Sequence, residues 1–261
     1  MKEPCIIHPH HLPAGYRHLP LTPATEGHSA VVYYLGKAYI LKLLNPSDSL
    51  DAEMACYRAL ATLPVAQPLA YWRIEGREAL LFPCIEGTHP IHPTKKQLAA
   101  IGRFLSQLHG ISPDALPLAP RYAKQTLAGL IDRTDSPLLR YHFDKLTALT
   151  LDEESLIHGD LFRDNALFTG ERLSAVIDWS DAARGDRRFD LAVVILDWCF
   201  QEVRLDLSRV DTLLEHYRPI QQLEEILPFV SYALLYYATT RILAGREDAQ
   251  ILLRRLEGLD V

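Results

Sequence analysis

Two apolar runs rich in β-branched and aromatic residues lie on either side of Gly36-Lys37. Residues 31–35 read VVYYL and residues 38–44 read AYILKLL. Runs of this composition around a glycine-containing turn predict a β-hairpin. From residue 51 to residue 60 the apolar positions recur with helical spacing behind the capping candidate Ser49. A helix is therefore predicted soon after the hairpin.

The pattern changes from strands to helices along the chain. Strand-like runs flank the Glu75-Gly76 turn, and the second run continues into the apolar stretch 80–87. Beyond it, Thr94 precedes a helical stripe of leucine and isoleucine that Gly110 closes, as cap and terminator residues do. Further helical runs lie within residues 210–256. We therefore predict a β-rich first part and a mostly helical remainder.

The composition is that of a globular protein that can bury a large core. The chain has 261 residues, of which 48% are hydrophobic, and a net charge of −6 with no long basic run. This charge gives no electrostatic case for nucleic acid or an anionic membrane as the main partner. We expect no stretch long enough to span a bilayer and predict a cytoplasmic protein. Scattered cysteines favour reduced thiols: Cys5, Cys56, Cys84 and Cys199.

The first 20 residues are rich in histidine and proline, with His8, His10, His11 and His18 among four prolines. Prolines interrupt helices and strands, so an irregular segment is predicted. A metal site is the alternative, because imidazoles bind zinc or nickel. The irregular segment is favoured, since no carboxylate or thiol recurs at ligand spacing.

The candidate chemistry lies in residues 156–165, LIHGDLFRDN, and residues 176–179, VIDW. Asp160, Asn165 and Asp178 stand at the ends of short apolar runs, where a hairpin presents polar groups. Phosphoryl transfer needs a carboxylate that orients the attacking hydroxyl, and oxygen ligands that hold Mg²⁺ against nucleotide phosphates. We predict Asp160 as the catalytic base and Asn165 and Asp178 as metal ligands. The alternative is a surface hairpin whose polar residues only serve turns.

The string H-x-D-x-x-x-x-N followed by I-D-W resembles the catalytic and metal loops of the aminoglycoside phosphotransferase and choline kinase superfamily. The sequence of residues 158–178 is most similar to that of the bacterial homoserine kinases of that superfamily, whereas residues 185–192, GDRRFDLA, resemble aminoglycoside phosphotransferases. The resemblance implies an α+β, two-lobed protein-kinase-like fold. Its small β-rich N-lobe would be residues 1–86, its larger helical C-lobe residues 87–261, and the active site would lie between them. ATP and magnesium are the implied cofactors.

A kinase-like ion pair is the first nucleotide-binding feature that the resemblance implies. Lys42 is an isolated charge within an apolar strand, and Glu53 lies on the helix predicted after it. Such a pair aims the lysine at the α- and β-phosphates. Gly27 and Ser29 lie in a turn before the first strand of the hairpin, where small residues let backbone N–H groups approach phosphate oxygens.

The hinge near residues 82–87 is the segment expected to receive the adenine. There the Pro83 carbonyl would accept from the adenine amino group, and the Ile85 N–H would donate to the ring. Within the catalytic loop, His158 is interpreted as a hydrogen-bonding brace. Arg163 is left open between the transferred phosphate and solvent. Asp190, near the start of an apolar helix, is expected to be its N-cap.

The predicted partner is a small molecule with a hydroxyl group, and three functions remain open. An ATP-dependent, homoserine-kinase-like enzyme is the first; a phosphotransferase for an aminoglycoside, choline or another amino alcohol is the second; a nucleotide-binding pseudokinase that acts as an interaction module is the third. An amino-acid carboxylate would require a cation, and an aminoglycoside would require acidic contacts. Candidate cations are Arg184, Arg187 and Arg188, and candidate acids are Asp181, Asp197, Glu202 and Asp206.

Overall fold

The computed structural model describes residues 7–24, 31–46, 48–218 and 222–259. The chain divides into two compact units, Met1–Glu86 and Gly87–Val261. In the described residues the first unit is dominated by a β-sheet and the second by helices. This is the α+β composition that the residue pattern predicts.

The first unit is built on one antiparallel sheet. Its elements are β1 (Leu21–Pro23), β2 (Val31–Leu35), β3 (Tyr39–Leu43), α1 (Leu50–Ala59), β4 (Ala70–Ile74) and β5 (Arg77–Pro83). The strand order is β1-β2-β3-β5-β4. The predicted hairpin is confirmed: Leu35 lies opposite Tyr39, and Gly36 turns the chain with φ 59°. The predicted cap is also confirmed, because the Ser49 side chain accepts from the Ala52 N–H at 3.3 Å.

The histidine-rich segment packs against this sheet through its apolar residues. Ile7 and Leu12 are buried in the same core cluster as the sheet leucines. Two short 3₁₀ turns, Pro9–His11 and Ala14–Tyr16, interrupt otherwise irregular backbone, as predicted. His11 Nε2 lies 3.4 Å from a carboxylate oxygen of Glu75. Across the described ranges, no group of three or more His, Cys, Asp or Glu side chains is arranged to hold a metal ion.

Within the described residues, the second unit joins helices to three short two-stranded sheets. Its helices are α2 (Lys95–Leu108), α3 (Lys124–Asp132), α4 (Pro137–Lys145), α5 (Arg187–Trp198), α6 (Leu207–His216), α7 (Leu223–Leu243) and α8 (Ala249–Leu259). Its strands are β6 (Ser155–Ile157), β7 (Ala166–Thr169), β8 (Arg172–Val176), β9 (Ala183–Gly185), β10 (Phe200–Gln201) and β11 (Arg204–Leu205). The strands pair as β6 with β9, β7 with β8, and β10 with β11, all antiparallel. The β7–β8 and β10–β11 pairs are hairpins, whereas the β7–β8 hairpin lies between β6 and β9 in the chain.

Helix α2 shows how the apolar stripe and the predicted caps position this unit. Thr94 and Gln97 form a reciprocal capping box at its start. The helix packs against α6, and Gly102 allows the close approach, because a Cβ there would lie 2.6 Å from the backbone oxygen of Leu213. Side-chain volume at this crossing is therefore tightly limited.

Helix α7 forms the centre of the second unit and packs against α5 and α8. Among the described residues it is the one helix long and apolar enough to cross a membrane by length and composition. The expectation that no stretch reaches that length is therefore wrong. Half of the most apolar 18-residue stretch of this helix is buried inside the structure. A core helix of a globular protein meets the same criteria of length and composition.

Candidate active site

The candidate catalytic loop begins where β6 ends. Gly159 adopts φ 79°, which glycine accepts without strain, and Asp160 follows it. Asn165 ends a 3₁₀ turn, and its Nδ2 donates to the backbone oxygen of Asp160 at 2.7 Å and to Oδ2 at 3.1 Å. The predicted base and one predicted metal ligand are thus in direct contact. With Nδ2 turned to Asp160, the Asn165 Oδ1 accepts no hydrogen bond from the described residues and can serve as an oxygen ligand.

Asp178 lies at the open end of the β7–β8 hairpin, beside Asn165. The Ile177 N–H donates to the Asn165 backbone oxygen at 3.0 Å, which holds the two flanking segments together. Asp178 adopts φ 59°, a conformation that aspartate tolerates better than most residues. Its Oδ1 accepts from the Ser180 hydroxyl at 2.7 Å. The chain therefore brings a carboxylate and an amide oxygen, donors that suit Mg²⁺, onto neighbouring segments.

His158 connects the catalytic loop to the segment that carries Asp178. Its Nδ1 accepts from the Asp160 N–H at 3.2 Å, so Nε2 is the nitrogen that donates, to the Ile177 carbonyl at 3.0 Å. The ring is buried and packs against Trp179, with 4.6 Å between centroids. The interpretation of His158 as a brace is confirmed, because both ring nitrogens are used within the protein.

Asp160 lies in a crowded acidic environment. Burial, followed by the charges of Asp181, Asp178 and Asp164, raises the pKa of the Asp160 carboxyl to about 8, and a hydrogen bond from Tyr237 opposes this shift. The Tyr237 hydroxyl also donates to the Gly159 carbonyl. Clustered carboxylates repel one another, so a bound cation would stabilise their ionised forms. The charge distribution therefore fits the proposed metal.

Asp190 supports the catalytic loop from the core. Its Oδ2 accepts from the His158 N–H and its Oδ1 from the Gly159 N–H, both at 2.7 Å, and His109 Nε2 lies 3.2 Å from Oδ2. Asp190 is fully buried. One carboxylate thus satisfies two buried backbone donors immediately before the predicted base, which fixes the path of the loop.

The expectation that Asp190 is the N-cap of α5 is wrong. Asp186 is the N-cap and accepts from the Arg188 N–H at 2.9 Å. The helix begins at Arg187, so Asp190 lies one turn inside it, facing the loop. The sequence contains one signal for this role, an acidic residue directly before the apolar run 191–196. A carboxylate buried with that run must find hydrogen-bond donors elsewhere in the fold.

The predicted Lys42–Glu53 pair forms within the first unit. The Lys42 Nζ lies 2.8 Å from Glu53 Oε1, and both residues are buried. Glu53 Oε1 also accepts from the Tyr57 hydroxyl at 3.3 Å. A buried ammonium group requires such a counter-charge, so β3 and α1 hold the lysine in one position.

The remaining nucleotide-binding predictions are only partly within the described residues. Gly27 and Ser29 lie outside them. Pro83 ends β5, and the Cys84 N–H donates to the Ala38 carbonyl at 2.7 Å. The Ile85 N–H finds no acceptor in the part of the chain that the structure describes, which leaves it able to donate to a ligand. The role of Pro83 and Ile85 stays a prediction.

Arg163 has a structural partner that the sequence did not reveal. Its Nε and Nη2 donate to the two carboxylate oxygens of Asp197 at 3.0 and 3.1 Å, and its Nη1 donates to the Ile91 carbonyl at 2.6 Å. The guanidinium group therefore ties the catalytic loop to α5. Neither option considered for Arg163, transferred phosphate or solvent, describes this contact.

Solved structures with the same architecture establish the fold. The chain is similar to the GDP and kanamycin complex of APH(2")-IIia, with a TM-score of 0.71, 17% identity, and coverage of 93% of this chain and 94% of that chain. It is also similar to a choline/ethanolamine kinase family protein from Mesorhizobium loti, with a TM-score of 0.69, 17% identity, and coverage of 94% and 88%. The predicted kinase-like α+β fold is confirmed.

The chain belongs to the phosphotransferase enzyme family APH, whose model matches residues 20–223. Among curated relatives, homoserine kinase of Pseudomonas aeruginosa is 33% identical over 177 residues, which cover 58% of this chain and 53% of the relative. Homoserine kinase of a Chelativorans species is 28% identical over 241 residues, covering 81% and 74%. The chain spans about half the length of the first of these relatives.

Proposed function

We propose that the protein is an ATP-dependent small-molecule kinase that transfers the γ-phosphate to the hydroxyl group of homoserine. The observation that carries the proposal is the connected set of Asp160, Asn165 and Asp178, which His158 braces from both sides. Family membership supports phosphotransfer, and the curated relatives named as homoserine kinases support the choice of substrate.

The proposed chemistry follows from the positions of these side chains. Asp160 orients the acceptor hydroxyl and takes its proton as the hydroxyl oxygen forms a bond to the γ-phosphorus. The bond between the γ-phosphorus and the bridging oxygen breaks, and ADP leaves. Asn165 Oδ1 and the Asp178 carboxylate would hold Mg²⁺, which neutralises charge on the phosphates when bound.

The first unit would supply the nucleotide contacts. Lys42, fixed by Glu53, would donate to the α- and β-phosphates. The Pro83 carbonyl and the Ile85 N–H would bind the adenine, and backbone N–H groups near Gly27 and Ser29 would approach the phosphates. Each of these contacts remains part of the proposal.

Aminoglycoside phosphorylation is the second candidate, supported by the kanamycin complex among the similar structures. It requires acidic contacts, yet two of the four candidate acids have structural roles. Asp197 binds Arg163 through both carboxylate oxygens, and Asp206 caps α6 by accepting from the Arg209 N–H. Asp181, the candidate acid that acts electrostatically on Asp160, forms an ion pair with Arg121. This distribution favours homoserine.

An assay of ADP release with Mg·ATP tests the proposal against homoserine, choline, aminoglycosides, hydroxylated amino acids and sugars. We expect strong turnover on homoserine. Turnover on another alcohol alone would support the kinase chemistry and show that homoserine is not the substrate. No ADP release with any compound would favour an interaction module.

The variant Asp178→Asn tests the metal site in the same assay. Asparagine tolerates the positive φ and can still accept from Ser180, so folding should be retained. Loss of the carboxylate should lower kcat by roughly 10²–10⁴-fold, as expected when several kcal/mol of metal stabilisation are lost. Asp211→Asn, an exposed change on α6, is the control. Retained turnover by Asp178→Asn would remove Asp178 from the metal role.

A further inference from the structure

Arg121 and Tyr122 lie between the catalytic loop and the segment that follows Asp178. The Tyr122 ring is packed so closely on Gly159 that a Cβ at that glycine would collide with it. The Tyr122 hydroxyl donates to the backbone oxygen of Asp181 at 3.3 Å. This buried anchor places the neighbouring Arg121 beside Ser180 and Asp181, and the charge of Asp181 acts on the candidate base.

The guanidinium group of Arg121 is held by one nitrogen only. Nη1 donates to the Ser180 carbonyl at 2.6 Å and to Asp181 Oδ1 at 2.7 Å. Nε and Nη2 meet no acceptor among the described residues, and the side chain is 43% exposed. The edge formed by Nε and Nη2 is the one that binds a carboxylate through two parallel hydrogen bonds. Arg121 is therefore oriented by the protein with its carboxylate-binding edge left open.

Tyr236 presents a second open donor at the same place. Its ring, on α7, packs against Tyr122 and Tyr237, with centroid distances of 5.2 and 5.6 Å. Its hydroxyl makes no hydrogen bond to any residue that the structure describes. Burial raises the pKa of Tyr236, Asp181 and Asp160 raise it further, and Arg121 lowers it. Tyr236 therefore lies within electrostatic reach of the base, the acid and the arginine.

The arginines first considered for a substrate carboxylate are placed less well. Arg188 donates to both carboxylate oxygens of Asp186, and Arg184 lies 3.6 Å from Asp114. The charge of Arg187 acts on Tyr217, at the end of α6. Arg121, by contrast, contacts Asp181, whose charge acts on Asp160.

We propose that Arg121 and Tyr236 bind the carboxylate of a hydroxylated α-amino acid, whose ammonium group lies towards Asp181 and whose hydroxyl reaches Asp160. This inference rests on the proposed kinase function and specifies the group by which the substrate is recognised. A zwitterion matches the site because a cation and an anion lie side by side near the base. An amino alcohol without a carboxylate leaves the open edge of Arg121 unused.

The test compares two ligands that differ by one carboxylate. Homoserine and 3-aminopropan-1-ol are titrated calorimetrically into the wild type and Arg121→Gln, in the presence of a non-hydrolysable ATP analogue. Loss of a charge-assisted carboxylate contact should weaken homoserine binding about 10- to 100-fold. Binding of 3-aminopropan-1-ol should change less than twofold. Arg103→Gln, an exposed change on α2, is the matched control and should affect neither ligand.

Steady-state kinetics separate substrate binding from a general loosening of the loop. Arg121→Gln should raise the KM for homoserine with little change in kcat, and Arg121→Lys should recover part of the affinity. An equal loss for both ligands, or no loss for homoserine, would overturn the inference.

The two proposals can fail separately. If homoserine binds selectively through Arg121 but no ADP is released, the kinase function fails and the binding site stands. If ADP is released only with alcohols that carry no carboxylate, the kinase chemistry stands, and both homoserine as the substrate and the proposed carboxylate site are wrong. If homoserine is phosphorylated but its binding does not depend on Arg121, the kinase function stands and only the carboxylate site is wrong.

Discussion

Removal of the Asp190 carboxylate should destabilise the second unit more than any change on its surface. In Asp190→Ala the N–H groups of His158 and Gly159 lose their acceptor, and His109 loses its partner. Each unsatisfied buried donor costs about 1–3 kcal/mol, so the two backbone donors and the small cavity together cost ~3–6 kcal/mol. That is a large part of the ~5–15 kcal/mol by which native proteins are stable.

The amide variant provides a graded comparison. In Asp190→Asn one oxygen can still accept from one of the two backbone N–H groups, whereas the new NH₂ group faces the other donor. We therefore expect a loss of ~1–3 kcal/mol, between the wild type and Asp190→Ala.

Urea denaturation followed by tryptophan fluorescence measures this order, because Trp179 and Trp198 are buried in the second unit. With a slope of about 3 kcal/mol per M, Asp190→Ala should lower the midpoint by ~1–2 M at an unchanged slope. Asp211→Asn should stay within ~0.5 kcal/mol of the wild type. A midpoint for Asp190→Ala within the error of the wild type, or a lower midpoint for Asp190→Asn than for Asp190→Ala, would refute the reasoning.

Two further predictions concern packing and thiol reactivity. Gly102→Ala should lower the free energy of unfolding by ~1–3 kcal/mol, because its Cβ would lie 2.6 Å from a backbone oxygen of α6. Gly129→Ala should raise the free energy of unfolding by ~0.5–1 kcal/mol through helix propensity, since a Cβ there would meet nothing within 4 Å. Thermal unfolding of both variants checks this contrast. At pH 8 an alkylating reagent should modify Cys84, which is exposed. Burial, with a smaller contribution from Glu53, raises the pKa of Cys56 to about 12, and burial also raises the pKa of Cys199. Both of these buried residues therefore stay as unreactive thiols. Peptide mapping by mass spectrometry reads the sites, and modification of Cys56 before Cys84 would contradict this order.

Local patterns were sufficient for much of the fold and for the central residues of the site. The β2–β3 hairpin and the caps at Ser49 and Thr94 follow from neighbouring residues, since turn and cap hydrogen bonds span only two to four positions. Asp160 and Asn165 are five residues apart, and the short turn between them brings their side chains together. The sequence by itself therefore determined the strand and helix pattern and the candidates for base and metal ligands.

Tertiary structure decided which side chains support that site and which remain open to a ligand. Asp190 meets the loop from 31 and 32 positions away, Arg163 meets Asp197 across 34, and Arg121 meets Asp181 across 60. Such contacts depend on how helices pack and not on local periodicity, so the spacing of residues along the chain does not predict them. The buried carboxylate of Asp190 is therefore a loop support and not a cap, and the open edge of Arg121 becomes visible only once the fold has used its other donors.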